Sequence, residues 1–311
     1  MLIAEVSKNG AFCRLLPTLD DSTKGDCQQH QRYHLQHGPI DIVADFFGEP
    51  VLIDQAIHLV WESFQTILPG LASQLSALRA GIGPSCVSNQ TFHGDTAQRM
   101  YRAALPFAHE FITPMAAVAG SVADTLLAAV DPIALSKVII NNGGDIATRA
   151  ITGQVIHVQL LAPCGVMHLA GLGQQPYGVA TSGWSGRSFS LGVADAVTVI
   201  ADCASMADAA ATMIANHVGQ VCGHPAICRS PANAIQDDTD LGDRLVTTGV
   251  GRLPIDLIKQ LLANGAEFAE ECLRSGKILA ASLYLQGESV IVTGKTNPFV
   301  LQPSVLPTDK M

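Results

Sequence analysis

Apolar positions recur at two different spacings along this chain, and the switches between them outline its elements. From Val51 to Arg79 the spacing is helical, with Ile53, Ile57, Val60, Phe64 and Ile67 on one face. Pro69 has no N–H to donate and predicts a break there into two helices. Asp95 to Phe111 reads as a third helix with Asp95 as its cap. Ala116 to Val130 is a small-residue helix, apolar nearly all round, and is expected to be buried. Ser205 to Val218, with Ser205 as candidate cap, and Pro254 to Arg274 complete the helices.

Strand-like runs separate them. Tyr33 to Asp45 alternates in part and predicts two short strands around Gly38-Pro39. Lys137 to Asn141 is a short strand ending at Gly143-Gly144. Further strands are expected at Ile146–Ala150, Val155–Leu161, Val166–Leu169, Ala194–Ala201 and Leu245–Val250. A hairpin, Ile278–Gln286 with Ser289–Thr293, turns at Gln286-Gly287-Glu288. Residues 1–30 read as a polar, loop-like segment, 31–295 as one domain and 296–311 as a tail. Helices come in neighbouring pairs, and hairpins outnumber βαβ units. That predicts an α+β fold, an antiparallel sheet with helices on one face. No G-x-G-x-x-G follows a strand, which argues against a Rossmann dinucleotide site.

Composition narrows the function classes. Hydrophobic residues make up 48% of the 311 positions and charged residues 14%, so the chain can build a large core. With so little charge, part of its surface is expected to meet another copy, giving a homo-oligomer. A net charge of −9 and the absence of a Lys/Arg cluster argue against nucleic acid as a partner. No apolar run reaches the roughly 18 residues of a membrane span, and Met1 to Leu16 has no signal-peptide core. Eight cysteines without a CxxC pair read as reduced thiols in a cytoplasmic protein. Cys222, His224 and Cys228 fit no common zinc spacing. Asp237 to Asp243 lacks the closing Glu of a calcium loop and reads as solvated.

Three segments can carry chemistry. Asp208 and Thr212 lie four apart on an expected helix, so both oxygens leave one face, a hard-oxygen pair suited to Mg²⁺. The alternative reading of the same pair is a locally bonded Asp and a Thr bonding back to its helix. Asn142-Gly143-Gly144-Asp145 follows a strand, and its glycines can expose amides to an anion or a heterocycle edge, or simply make a tight turn. Thr181-Ser182-Gly183, with Arg187 just beyond, offers hydroxyls, amides and a guanidinium to a carboxylate or phosphate, or is a connecting loop. No nucleophile stands at diagnostic spacing from a His base, so no catalytic residue is assigned.

Taken jointly, these segments resemble the ApbE-like superfamily, whose best-known branch is the FAD:protein FMN transferases. Ala207-Asp-Ala-Ala-Ala-Thr212 matches that branch's A-D-A-x-x-T, whose Asp and Thr bind Mg²⁺. Gly143-Gly-Asp145 matches its G-G-D, Thr181-Ser-Gly183 its T-S-G, and Thr113 to Gly120 is similar to its small-residue motif. An uncharacterised branch of the superfamily is more similar still. It shares Pro114–Gly120, Asn142–Ile146, Ser188–Val197 and the start at Arg32. The resemblance implies a tandem T-fold-related sheet, a flavin (FAD or FMN) or related heterocyclic ligand, and Mg²⁺ on Asp208 and Thr212. At its furthest it implies Mg-dependent FMN transfer from FAD to a protein. Departures stand beside it: Thr113 and Ala119 occupy the places of an acidic residue and a Lys, and the H-I-x-D-P segment is absent. The alternatives are a non-catalytic ligand-binding or assembly protein, and an enzyme acting on a small nitrogen heterocycle.

Overall fold

The computed structural model describes residues 5–17, 29–83, 91–159, 166–170, 175–220, 222–294 and 299–302. In chain order its strands are β1 (Glu5–Lys8), β2 (Ala11–Leu16), β3 (Gln29–His37), β4 (Ile40–Gly48), β5 (Lys137–Asn142), β6 (Asp145–Ala150), β7 (Val155–Gln159) and β8 (Val166–Ala170). They continue as β9 (Pro176–Ser182), β10 (Ala196–Ala201), β11 (Ile227–Pro231), β12 (Leu245–Val250), β13 (Ala280–Leu285), β14 (Glu288–Thr293) and β15 (Phe299–Gln302). The α-helices are α1 (Pro50–Ala72), α2 (Leu75–Leu78), α3 (Asp95–Ala104), α4 (Val118–Ala129), α5 (Ala204–His217) and α6 (Ile255–Arg274). The fold is α+β, as the sequence predicts.

Two compact units divide the chain. The first comprises Met1–Ile151, Gln174–Ala180 and Ala201–Ala209. Its strands run in the order β1-β2-β3-β4-β5-β6-β9, with antiparallel ladders throughout. Side chains alternate across this sheet with period two. Tyr33, Leu35, Ile42, Ala44, Phe46, Val138 and Ile140 face one way and join a single core with α1 residues Ile53, Ile57, Val60 and Phe64 and α4 residues Val122 and Leu126. Each Val, Leu, Ile or Phe among them taken from water stabilises by about 1.5–3 kcal/mol. His30, Arg32, Asp45, Phe47 and Lys137 lie at the alternate positions, linked by an Arg32–Asp45 pair at 2.7 Å and a His30–Phe47 stack at 4.2 Å.

The second unit comprises Thr152–Gly173, Thr181–Ile200 and Ala210–Met311. In it β10, β13 and β14 pair antiparallel, and α6 packs on β13 and β14. A two-stranded ladder, β11-β12, and a three-stranded one, β15-β8-β7, complete it. The β13–β14 hairpin turns at Gln286 and Gly287, both at positive φ (45° and 94°), the geometry that matches strand twist.

Several boundaries differ from expectation. Pro69 lies inside α1, which ends only at Ala72. Pro69 removes one N–H donor to the preceding turn, and the helix runs only three residues beyond it. Gly94 rather than Asp95 is the cap of α3, and Asp95 in the first turn accepts from Arg99 at 2.6 Å. That helix ends at Ala104, ahead of a 3-10 turn containing Pro106. The N-terminal segment is not all loop: Ala11 and Cys13 of β2 are fully buried, which its surrounding polar residues conceal. β9, β11 and β15 are strands where none was expected. The last two residues of the expected Val155–Leu161 strand lie outside the described residues, as do Cys27, Cys86 and Cys164. The five described cysteines are free, Cys13 and Cys272 being buried. Among the described residues no helix is long and apolar enough to cross a membrane.

Candidate functional site

The first unit brings the small-residue helix, the Gly-Gly turn and the start of α5 to one place. A Cβ at Gly120 would run into the Ala204 carbonyl and lie 2.9 Å from the Asp208 Cβ, so only glycine permits this approach of α4 to α5. Gly178 on β9 does the same for the Cys203–Ala204 backbone.

At this crossing the two helices exchange carboxylates. Asp208 of α5 accepts from Gly120 N–H at 2.9 Å, with the Ala119 N–H contributing as well. Both donors belong to the first turn of α4, whose amides have no partner within the helix. In return Asp124 of α4 accepts from Ala204 N–H at 2.9 Å and Ser205 N–H at 2.8 Å, the first turn of α5. The cap expected of Ser205 is therefore supplied by Asp124, 81 residues earlier in the chain. Sequence reasoning missed Asp124. The signal available was a single charge in an apolar helix, which must find a partner when buried.

Asn142, at the end of β5, donates from Nδ2 to the Ala119 carbonyl at 3.1 Å. The Ala119–Gly120 peptide is thus held at its C=O by Asn142 and at its N–H by Asp208. Gly143 and Gly144 form the β5–β6 turn at φ 65° and 116°. The Gly144 N–H donates to Asn141 Oδ1 at 2.8 Å, so this amide is engaged within the turn. Asp145 opens β6 directly opposite Asn142.

Burial pushes the Asp208 carboxyl well above the usual carboxylate range, and the negative charges of Asp145 and Asp124 push it further. The Gly120 and Ala119 amides act the other way. Burial also raises Asp124, against the pull of its two backbone donors. The charge of Asp145 thus disfavours the ionised form of Asp208, the setting in which a cation or a proton is drawn in. Thr212 lies one turn beyond Asp208 on α5. No group of three or more His, Cys, Asp or Glu side chains with metal-binding geometry exists among the described residues. This includes the Cys222–His224–Cys228 neighbourhood.

Thr181, Ser182, Gly183, Arg187 and Thr212 belong to the second unit. Thr181 ends β9 with Ser182, and its hydroxyl lies 2.8 Å from that of Thr198 on β10. Gly183 is a glycine of necessity, because a Cβ there would overlap the Asp195 carbonyl. Arg187 is exposed on the turn that follows.

Residues 25–291 match the family model described as AbpE bacteria. The UPF0280 protein of Methanopyrus kandleri is 43% identical over 124 residues, 39% of this chain and 48% of that protein. The UPF0280 protein of Methanocella arvoryzae is 30% identical over 199 residues, 61% of this chain and 75% of the relative. The chain spans about half the length of the first of these relatives. Among solved structures, Pseudomonas stutzeri flavinyl transferase ApbE in its apo form aligns over 88% of this chain and 97% of its own, with 11% identity and a TM-score of 0.48. The flavin transferase ApbE from Vibrio cholerae aligns over 86% of this chain and 98% of its own, with 11% identity and a TM-score of 0.40.

Proposed function

The chain belongs to the AbpE bacteria family, the ApbE-like group it shares with the UPF0280 proteins, and from that premise we propose that it binds a flavin or related nitrogen heterocycle with Mg²⁺. The observation that carries this reading is the Asp208 carboxylate, held by the Gly120 N–H at the start of α4 and facing the negative charge of Asp145. The donor set fits a hard cation. Mg²⁺ takes one or two carboxylates and completes its shell with water and ligand phosphates, so it needs no cage of three side chains. Asp208 and Thr212 would hold it, and when bound it would neutralise charge on a pyrophosphate. Asn142, Gly143, Gly144 and Asp145 would meet the ligand from the β5–β6 turn. In the second unit, Thr181, Ser182, Gly183 and Arg187 would offer hydroxyls, amides and a guanidinium to a ligand's carboxylate or phosphate.

FMN transfer from FAD to a protein is the furthest form of this reading. A second reading, ligand binding without transfer, draws on Thr113 and Ala119. Thr113 is buried, and Ala119 supplies only a methyl group where the transferases carry a Lys. An enzyme acting on a small nitrogen heterocycle uses the same residues without a flavin. The T-fold relationship, a homo-oligomer and a cytoplasmic setting complete the proposal; the free described cysteines support the last of these.

The test is thermal stabilisation by FAD with and without Mg²⁺, in wild type and Asp208→Asn. Asn keeps an acceptor for the Gly120 N–H but removes the charge. Binding at 100 times Kd stabilises by about 2.7 kcal/mol, an easily read rise in Tm. The expected result is a Mg²⁺-dependent rise in wild type and none in Asp208→Asn. A folded wild type that neither FAD nor FMN stabilises at millimolar concentration with Mg²⁺ overturns the reading. Mass measurement after incubation with FAD and a carrier peptide then separates transfer from binding alone.

A further inference from the structure

Ser188 to Val197 contains Asp195, a residue given no role above, and its contacts single out a neighbour. Both carboxylate oxygens of Asp195 are engaged: Oδ1 accepts from the Trp184 indole Nε1–H at 2.9 Å, and Oδ2 from the Gln286 N–H at 2.7 Å. Its own N–H donates to the Tyr284 carbonyl at 3.0 Å. Gln286 is fixed in turn, its amide donating to Gly251 O at 2.8 Å and accepting from Leu253 N–H at 3.0 Å. Trp184 is held at a second point, its backbone N–H donating to Ala194 O at 3.0 Å. The turn it occupies is closed by Gly186 N–H to Gly183 O at 3.2 Å. Every one of these residues belongs to the second unit.

An indole pinned by its N–H and its backbone has one orientation, and Trp184 is only partly covered. The other tryptophan, Trp61, is 7% exposed and sits in the first unit's core. A large aromatic plane left partly in water, yet locked by a carboxylate network, is a preorganised stacking surface. Its ordering cost is met in folding rather than at binding. It stands next to Gly183, at the end of the segment whose hydroxyls and amides are assigned to the ligand. We infer that Trp184 is the stacking platform for the planar heterocycle and that Asp195 is the positioning residue that orients it. The inference rests on the heterocycle-binding reading above and adds a contact that the matched family motifs do not contain. Stacking of a ring on an aromatic side chain is tolerant of substituents, so the platform accepts riboflavin as well as FAD.

The test uses the full chain with riboflavin and FAD as probes. In Trp61→Phe, where Trp184 is the only tryptophan, riboflavin is expected to quench the emission by contact. Trp184→Leu is expected to weaken riboflavin binding about tenfold, while Trp184→Phe, which keeps a ring, stays within about threefold. Asp195→Asn is expected to reduce the quench and broaden the near-UV circular dichroism of Trp184 without lowering Tm enough to unfold the protein. Equal riboflavin and FAD affinities in wild type and folded Trp184→Leu, with no contact quenching in Trp61→Phe, overturn the platform and leave the flavin reading standing. Absence of binding by either probe to wild type removes the flavin reading itself. If Trp184→Leu does not fold, Trp184→Phe and the quench in Trp61→Phe decide the matter.

Discussion

Asp45 shows how a single side chain can couple the sheet to pH. It lies opposite Arg32 on β3 and accepts from Arg32 Nε at 2.7 Å and from His30 Nε2 at 2.6 Å. Burial alone would raise its pKa; the bonds from His30 and Arg32 outweigh that and hold it below the usual carboxylate range. The sign follows from linkage. A carboxyl lowered in the folded state contributes stability above its unfolded pKa of about 3.9, and that contribution is lost as pH falls through the lower folded value. Asp45→Asn is therefore expected to cost about 1–2 kcal/mol at neutral pH, less than a fully buried pair because Arg32 is 43% exposed. It should also flatten the decline in stability below pH 4. Urea midpoints from pH 7 down to pH 2.5 check this, and parallel curves for wild type and variant would contradict it.

At the scale of elements the exchanged caps dominate. Asp124→Ala strips two buried N–H groups at the start of α5 of their acceptor and is expected to cost about 3 kcal/mol. Asp124→Asn keeps one acceptor and removes a charge that burial disfavours, so it should cost about half as much. Urea midpoints with an unchanged m-value provide the measurement; a loss below about 1 kcal/mol for Asp124→Ala would mean the cap contributes little. The same elements show what a sequence can and cannot disclose. The periods of α1, α4, α5 and α6 and the β13–β14 turn were legible because each depends on residues a few positions apart. The strand β9 was not, because its Gly178 and Pro176 read locally as breakers, and the reason for that glycine is the backbone of Ala204. The ends of α1 and α3 shifted for a related reason: a proline's effect depends on which turn it occupies. The A-D-A-x-x-T helix and the N-G-G-D turn were legible as motifs. That Asp208 would also anchor α4, and that Trp184 would be pinned by Asp195, are contacts between residues far apart or across a turn, which periodicity does not record.

For the molecule as a whole, the first unit is discontinuous. It requires 174–180 and 201–209 as well as the first 151 residues. A fragment of residues 1–151 lacks β9 beside β6, the acceptor for Gly120 N–H and the donors to Asp124. It is expected to show no cooperative unfolding transition and to bind a hydrophobic dye, and circular dichroism with dye fluorescence tests this. A sharp melting transition in that fragment would show that the first 151 residues suffice. The exchanged caps also set a timetable on the ribosome. Gly120 and Asp208 are 88 residues apart, and synthesis proceeds at about 5–20 residues per second. For roughly 4 to 18 seconds after Gly120 is made, α4 has neither its anchor nor the helix it must anchor. During that interval its apolar face, with Val122, Leu126 and Leu127, depends on α1 and the early strands for cover, so nascent chains stalled between these two positions are the ones most exposed to aggregation and proteolysis.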